Sequence, residues 1–311
     1  MALIYADNNR RDLGYLKNIN FDCDIGNSDD FALEQSADDY SLINSGYFIY
    51  DDERPEFGGR IEAITSKSAD YKIIWSGKSF RGLLKNKRID TGTETSLTLT
   101  GTPQEIITEL ITLCGFNSLY FCSGGSLTSV THTFERFTDL HTAISELSQS
   151  NGLRFSCLYN ISAKKIEIVV STPSIYHKFD NDKYGLEVFK QLISANHLIV
   201  IGDGTTKHLY LQSDGSISEI PTYTDENEVT DILEVNSSDA SELISEGTAH
   251  FAELIAGESS AAVNTADVDF KIGDQICVID NITRLQVCKS IKSKVYTYTD
   301  KDNYKISYKT E

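Results

Sequence analysis

Two runs in the middle of the chain decide its class: residues 102–115, TPQEIITELITLCG, and residues 138–170, TDLHTAISELSQSNGLRFSCLYNISAKKIEIVV. In the first, Thr102 can cap a helix, Pro103 suits the first helical position and Glu105 can close a capping box. Ile107, Leu110, Ile111 and Cys114 recur at helical spacing on one stripe, and Gly115 supplies a left-handed stop. In the second, Leu140, Ala143, Ile144 and Leu147 repeat that stripe from a start at Thr138 or Asp139, and Gly152 ends it. The period then drops to two: Leu153, Phe155, Cys157 and Tyr159, a turn at Asn160-Ile161-Ser162-Ala163, then Ile166, Ile168 and Val170. Helices followed by a hairpin predict a compact α+β module over 99–172.

Both flanks read as strands. Over 1–98, short β-branched and aromatic runs (2–6, 16–25, 31–36, 47–50, 60–65 and 71–75) alternate with Gly, Asn, Asp and Ser clusters. Their spacing suggests a small sandwich or barrel. Over 173–311, strands are expected at 186–191, 197–202, 208–212 and 217–220. A long helix capped near Ser237 or Ser238 follows, with Ala240, Leu243, Ile244, Phe251, Leu254 and Ile255 on its apolar face and Gly257 after it. Strands at 261–270, 275–279, 285–289, 295–299 and 303–308 complete the segment. The fold class is α+β, mainly antiparallel β.

Composition narrows the function. The 311 residues are 40% hydrophobic with 16 Tyr and 14 Phe, enough for real cores, which excludes global disorder. Four Pro and 20 Gly exclude collagen-like and Pro-rich chains. No apolar run is long enough to span a bilayer as a helix. In MALIYADNNRRDLG the charges follow a short apolar stretch, the wrong order for a secretory signal, so synthesis in a cytoplasm is expected. The 28 Lys+Arg against 46 Asp+Glu give a net charge of −18, which disfavours phosphate-backbone binding as a main role. Charge is also blocked. Residues 208–270 hold fourteen acids and no Lys or Arg, whereas 67–88 hold seven bases and one acid, and 284–309 seven bases and two acids. Such blocks read as solvated faces, or as sign-matched surfaces between copies.

Motifs for chemistry are weak. Cys23, Cys114, Cys122, Cys157, Cys277 and Cys288 form no CxxC and read as buried small hydrophobes in a reducing compartment. Gly202-Asp203-Gly204 lacks the third glycine and the helix of a dinucleotide site, so a β-turn is expected. Ser123-Gly124-Gly125-Ser126 reads as a small-residue loop rather than a nucleophile elbow. His132, His141 and His177 with Asp139 and Cys122 show no spacing that singles out a triad. Asp22, Asp24, Asp29 and Asp30 could hold a hard cation, but without loop grammar they read as an acidic surface turn. No catalytic, cofactor-binding or metal-ligating residue is expected, and the chain reads as no enzyme.

The order of several segments carries a resemblance. LIYADNNRRDLGYLKNINFDCDIGNSDDFAL (3–33) is followed by Phe57-Gly58-Gly59-Arg60-Ile61 and by IWSGKSFRGLL (74–84), a hydrophobic-Ser-Gly-x-x-x-x-Gly-x-Leu run. Then come Phe134-Glu135-Arg136-Phe137, Asn196-His197-Leu198-Ile199-Val200-Ile201-Gly202, His208-Leu209-Tyr210, the Asp214-Gly215 turn, Ile272-Gly273-Asp274 and Lys305-Ile306-Ser307-Tyr308. Together, over nearly the whole chain, they resemble the tail-tip or baseplate hub proteins of bacteriophages and prophages, the siphovirus tail-associated family.

That resemblance implies two small tail-tube-like β-barrels with α/β elaborations. One would occupy 1–98 and the other 173–311, the latter with an inserted helical segment at about 222–260. It implies a homotrimeric ring at the virion tail tip or baseplate, made in a bacterial cytoplasm. The ring would join the tail-tube and distal-tail ring proteins to a tip spike or fibre protein, with DNA only a transient passenger. Acids lining the lumen would repel that DNA. No catalytic residues carry over: Arg136, Asn196, His197 and the Gly58-Gly59 pair are expected to be architectural. Many relatives continue into a lysin or fibre domain where this sequence ends at Glu311, which would place wall cutting in another protein. Two other readings stay open, a tail-tip cell-wall hydrolase or peptidase and a carbohydrate-binding adhesin. The single Trp75, inside an apolar run, weighs against the adhesin.

Overall fold

The computed structural model describes all residues except 1–2, 40–42, 125–126, 180–186, 191–194, 223–224, 257–258, 265–268, 280–285, 300–302 and 311. Two compact units result: Met1–Glu187 with Ala261–Glu311, and Val188–Ser260. The architecture is α+β with mainly antiparallel strands, as the periodicities predict.

The larger unit opens with β1 (Leu3–Ala6), β2 (Asp12–Tyr15), β3 (Ile19–Ile25), β4 (Asp30–Ser36), β5 (Phe48–Asp51), β6 (Gly58–Lys67) and β7 (Lys72–Ser79). After a 3-10 turn at Gly82–Asn86 come β8 (Ser96–Gly101), α1 (Pro103–Leu113), β9 (Tyr120–Gly124), β10 (Val130–Glu135), α2 (Leu140–Ser150), β11 (Arg154–Asn160), β12 (Lys165–Ser171) and β13 (Ile175–Phe179). β14 (Glu187–Lys190) lies at the boundary. The smaller unit contains β15 (His197–Ile201), β16 (Thr206–Leu211), β17 (Ile217–Ser218), β18 (Thr230–Glu234) and α3 (Ala240–Ala256). β19 (Ser259–Asn264), β20 (Gln275–Ile279), β21 (Gln286–Thr299) and β22 (Asn303–Thr310) follow.

The helix starts form as their sequences require. Thr102 accepts from the Glu105 backbone N–H, and the Glu105 carboxylate accepts from the Thr102 N–H, a complete capping box. Asp139 caps α2 through Thr142 N. α3 begins at Ala240, with Asp239 accepting from Ser241 N, one or two residues beyond the cap near Ser237 or Ser238 expected from sequence. The Gly257 stop lies outside the described residues. Ile106, Ile107, Leu110 and Ile111 of α1 and Leu140, Ala143, Ile144 and Leu147 of α2 share one core with Phe155, Tyr159, Ile166 and Ile168 of the β11–β12 hairpin. That core also takes in Phe48, Tyr50, Phe80 and Leu83, so the module is packed onto the first strands.

The main sheet runs β19-β22-β21-β3-β4-β7-β6-β5-β1-β2, with β20 also on β21 and β13 on β20. It ends at β2 rather than returning on itself, so no closed barrel is traced among the described residues. Its central ladder joins β3 to β21 antiparallel, from Ile25 opposite Lys294 to Asn20 opposite Thr299. Ile19, Phe21, Cys23 and Ile25 alternate inward, while Asn20 and Asp22 face out. Phe57 stacks on Tyr296 with ring centroids 4.3 Å apart, and the Tyr296 hydroxyl donates to the buried Asp51 at 2.9 Å. Trp75 is buried on β7, leaving no exposed indole for sugar stacking.

One expectation for the cysteines is overturned. The β20–β21 register sets Cys277 directly opposite Cys288, and the two form a disulfide. Cys23 and Cys157 are buried thiols as expected, whereas Cys114 and Cys122 are half-buried. A sequence separation of 11 between Cys277 and Cys288 carries no pairing signal until the hairpin register is known.

Glycines in the main sheet mark close backbone approach. A Cβ on Gly77 would lie 1.9 Å from the Arg60 carbonyl oxygen, and one on Gly59 would lie 2.1 Å from that of Lys78. No side-chain adjustment relieves a clash with backbone. Gly77→Ala is therefore expected to cost about 3 kcal/mol, read as a lower urea midpoint, whereas Gly92→Ala, which meets no atom of the described residues within 4 Å, should cost markedly less despite its left-handed backbone.

Candidate functional site

Three clusters of charged or ionisable side chains stand out. The first is centred on Asp29 in the β3–β4 turn. The sequence places it in an acidic surface turn, yet it is 2% exposed. Its backbone takes the left-handed conformation (φ 59°), and its Oδ1 accepts from Gly26 N at 2.7 Å. Lys85 Nζ lies 2.7 Å from Oδ2, and Arg81 Nε and His141 Nε2 lie at 3.8 and 3.5 Å. The Asp29 carbonyl accepts from Ser79 N and Oγ. Asp22 and Asp24 project from the outer face of β3, and Asp30 accepts from Ser28 Oγ. The four carboxylates do not converge, and among the described residues no group of three or more metal-ligating side chains forms.

Arg81 turns this cluster into a junction. Its Nε donates to His141 Nε2 at 3.1 Å, its Nη1 donates to the Phe155 carbonyl at 3.1 Å, and its guanidinium lies 3.9 Å over the Phe155 ring. One side chain thus ties the end of β7 to α2 and β11. Accepting from Arg81 requires an unprotonated Nε2, and burial first, then Arg81, pushes His141 down to about 4.

The second cluster lies beside the central ladder. Lys294 of β21 is fully buried, with its ammonium on the Glu56 carboxylate and 3.1 Å from Asp269 Oδ1. Lys271 Nζ bridges the same two acids at 3.3 and 2.5 Å. Burial works against the Lys294 charge, but Glu56 and Asp269 outweigh it and raise its pKa. Nearby, Asp274 is fully buried and accepts from Ser174 N and Lys271 N.

The third belongs to the smaller unit. His197 Nδ1 meets Glu228 Oε1 at 2.5 Å, and its Nε2 meets His208 Nδ1 at 2.9 Å. The His197 ring stacks on Tyr210 with centroids 4.3 Å apart. Beside it, Asn196 Oδ1 accepts from Val229 N and its Nδ2 donates to the Asn227 carbonyl. Asn196 therefore satisfies strand-end backbone, the architectural role expected of it. The carboxylate–histidine–histidine chain resembles a proton relay, but it ends at the exposed His208 and meets no nucleophile among the described residues. Glu228, in an acid-rich run without a motif, is the member that sequence alone does not reveal.

Among the described residues the remaining candidates do not assemble. Asp139 is spent capping α2, His141 is held by Arg81, and His132 lies against Phe134. Burial raises Cys122 to about 12, which suppresses its thiolate. The side chain of His177 lies outside the described residues, as do Gly125 and Ser126 of the small-residue loop. Gly202-Asp203-Gly204 is a turn, with Gly202 N donating to the Thr205 carbonyl, as expected. Arg136 lies over Phe137 and 3.4 Å from Asp90.

A 43 kDa tail protein of prophage MuSo2 from Shewanella oneidensis superposes with a TM-score of 0.57 at 11% identity, over 100% of this chain and 98% of its own. The chain has a prophage tail-protein fold. A tail protein from Neisseria meningitidis gives a TM-score of 0.56 at 12% identity, covering 99% and 95%. A prophage tail protein from Listeria monocytogenes gives 0.56 at 12%, covering 99% and 94%. No family model and no curated protein matches the sequence.

Two outcomes test the buried charges. Glu56→Ala leaves the buried Lys294 ammonium to the half-exposed Asp269 alone and is expected to cost about 3 kcal/mol in denaturation midpoint analysis. His141 is held neutral in the fold, so the unfolded chain binds its proton more readily. Stability from this group is complete above about pH 6.5 and is lost as pH falls toward 4. His141→Gln should flatten that part of the stability–pH curve, seen as a difference from the unmodified protein.

Proposed function

We propose that the protein is a structural component of the tail of a phage or phage-tail-like particle. In this reading three copies form a hub ring that joins the tail tube to the tip spike or fibre. The observation that carries it is the likeness of fold over nearly the full length of three tail proteins, two of them from prophages. The ordered motifs from residues 3–33 to Lys305–Tyr308 support the same reading. So does the use of the buried ionisable groups, which bind strands and helices to one another rather than gather around an open reaction centre.

The two tail-tube-like barrels, at 1–98 and within 173–311, belong to this proposal, as does the tail-tip or baseplate location. The acidic run of residues 208–270 fits a lumen that DNA passes without adhering.

The test mixes the purified chain with the tail-tube protein of its own particle and follows mass and negative-stain images. Threefold rings with a mass of three chains, bound to tube, are the expected result. Persistent monomers that ignore the tube would overturn the hub reading. In a cell-wall zymogram no clearing is expected, and clearing would revive the hydrolase.

A further inference from the structure

Between α2 and the strands that follow it lies a small notch of about 60 Å³, walled on its polar side by Arg81, Ser148, Gln149 and Arg154. It shares Arg81, Gln149, Leu153, Ile272 and Gly273 with a groove of about 730 Å³, which extends along Ile291 and Lys292. All of these residues belong to the larger unit.

The notch contains hydrogen-bonding capacity that the fold does not use. Four helix hydroxyls, those of Thr108, Thr112, Ser145 and Ser150, donate to the carbonyl one turn back. Ser148 does not: it is 2% exposed, and its Oγ has no hydrogen-bond partner among the described residues. Arg154 Nε lies 2.9 Å from Asp274 Oδ1, but its N–H is not aimed at that oxygen, so the pair is an ion contact without a hydrogen bond. Both Asp274 oxygens already accept from backbone N–H groups. Arg81 uses Nε and Nη1, and its nearest carboxylate, Asp29, is 3.8 Å away and held more closely by Lys85.

Two guanidinium groups and a buried hydroxyl therefore converge on one small space with few acceptors. An unmet buried donor costs free energy that a ligand acceptor recovers, and guanidinium groups match a carboxylate in shape and charge. The volume is that of about two waters, enough for a carboxylate group. The groove beyond is of ligand-site size and mixes apolar walls from Leu153, Ile272 and Ile291 with one cation, Lys292, and one acid, Glu146, so the negative charge it selects is the one that enters the notch. Such a trough fits the residues on either side of an anchoring acid better than it fits a free anion.

We propose that the notch is a carboxylate site, and that the groove seats an extended acidic segment of a partner protein whose Asp or Glu side chain enters the notch. This goes beyond the tail reading and does not depend on it.

The test uses the full chain and the arginine Nε–Hε signals in NMR. The probes are the peptide Ac-SLEVS-NH2, its glutamine counterpart Ac-SLQVS-NH2, and acetate. The acidic peptide is expected to shift the Arg81 and Arg154 signals saturably, with a Kd of about 1 mM or tighter, and about tenfold more tightly than either the glutamine peptide or acetate. Ser148→Ala, which removes the hydroxyl with little change of volume, should weaken the acidic peptide several-fold while leaving the fold intact by circular dichroism. No saturable shift at about 10 mM peptide, equal binding of the glutamine peptide, or unchanged binding by Ser148→Ala would each overturn the site and leave a notch that holds water. Acetate binding as tightly as the acidic peptide would overturn the docked segment and leave a simple anion site.

Discussion

The larger unit depends on one ladder, the antiparallel pairing of Asn20–Ile25 with Lys294–Thr299. It brings together residues some 270 positions apart and gives β3 a neighbour on each side, β4 and β21. The aromatic core forms across it: Phe21 meets Phe31 and Tyr296, and Tyr296 stacks on Phe57. Without that pairing, β20, β21 and β22 would have no route to the first strands, and Phe57 and Asp51 would lose their partner in Tyr296.

Charge reinforces the ladder in an unusual place. Lys294 enters the interior where a hydrophobic residue would serve packing as well, and it remains there because Glu56 and Asp269 meet it. A buried ion pair adds little net stability over an apolar substitute, but removing one partner is costly. Asp29 with Arg81 does the same work between the β3–β4 turn and α2. These junctions specify which surfaces meet, a demand that apolar contacts, being non-directional, satisfy poorly.

Local order was legible in the sequence and distant order was not. Thr102-Pro103-Gln104-Glu105 announced α1 almost to the residue, and the alternation from Leu153 to Val170 announced the hairpin, because caps and periods are set by neighbours in sequence. β18 lies within the insert expected to be helical at about 222–260, because Thr230-Asp231-Ile232-Leu233-Glu234 is largely exposed and reads as polar, and the helix itself begins only at Ala240. The strands expected at 285–289 and 295–299 belong to one long strand, β21, since Ser290, Lys292, Ser293 and Lys294 hide its continuity in a polar run. The inward turn of Asp29 and the disulfide of Cys277 with Cys288 depend on tertiary register, which no local pattern encodes. The notch at Ser148 was invisible for the same reason: a serine inside a helical stripe looks like any other until its hydrogen bonds are traced.

The long reach of the ladder also sets an order on biosynthesis. A ribosome adds roughly 5–20 residues per second, so β3 emerges about 15–50 s before the strand that covers its flank. During that interval β3 can pair with β4, but its other edge stays open, and an open edge recruits foreign strands. The nascent chain must keep that edge from its neighbours on the same messenger until β21 arrives. Crowded translation of this protein therefore favours aggregation through β3, and a chaperone that shields residues 19–25 would raise the yield of folded chains.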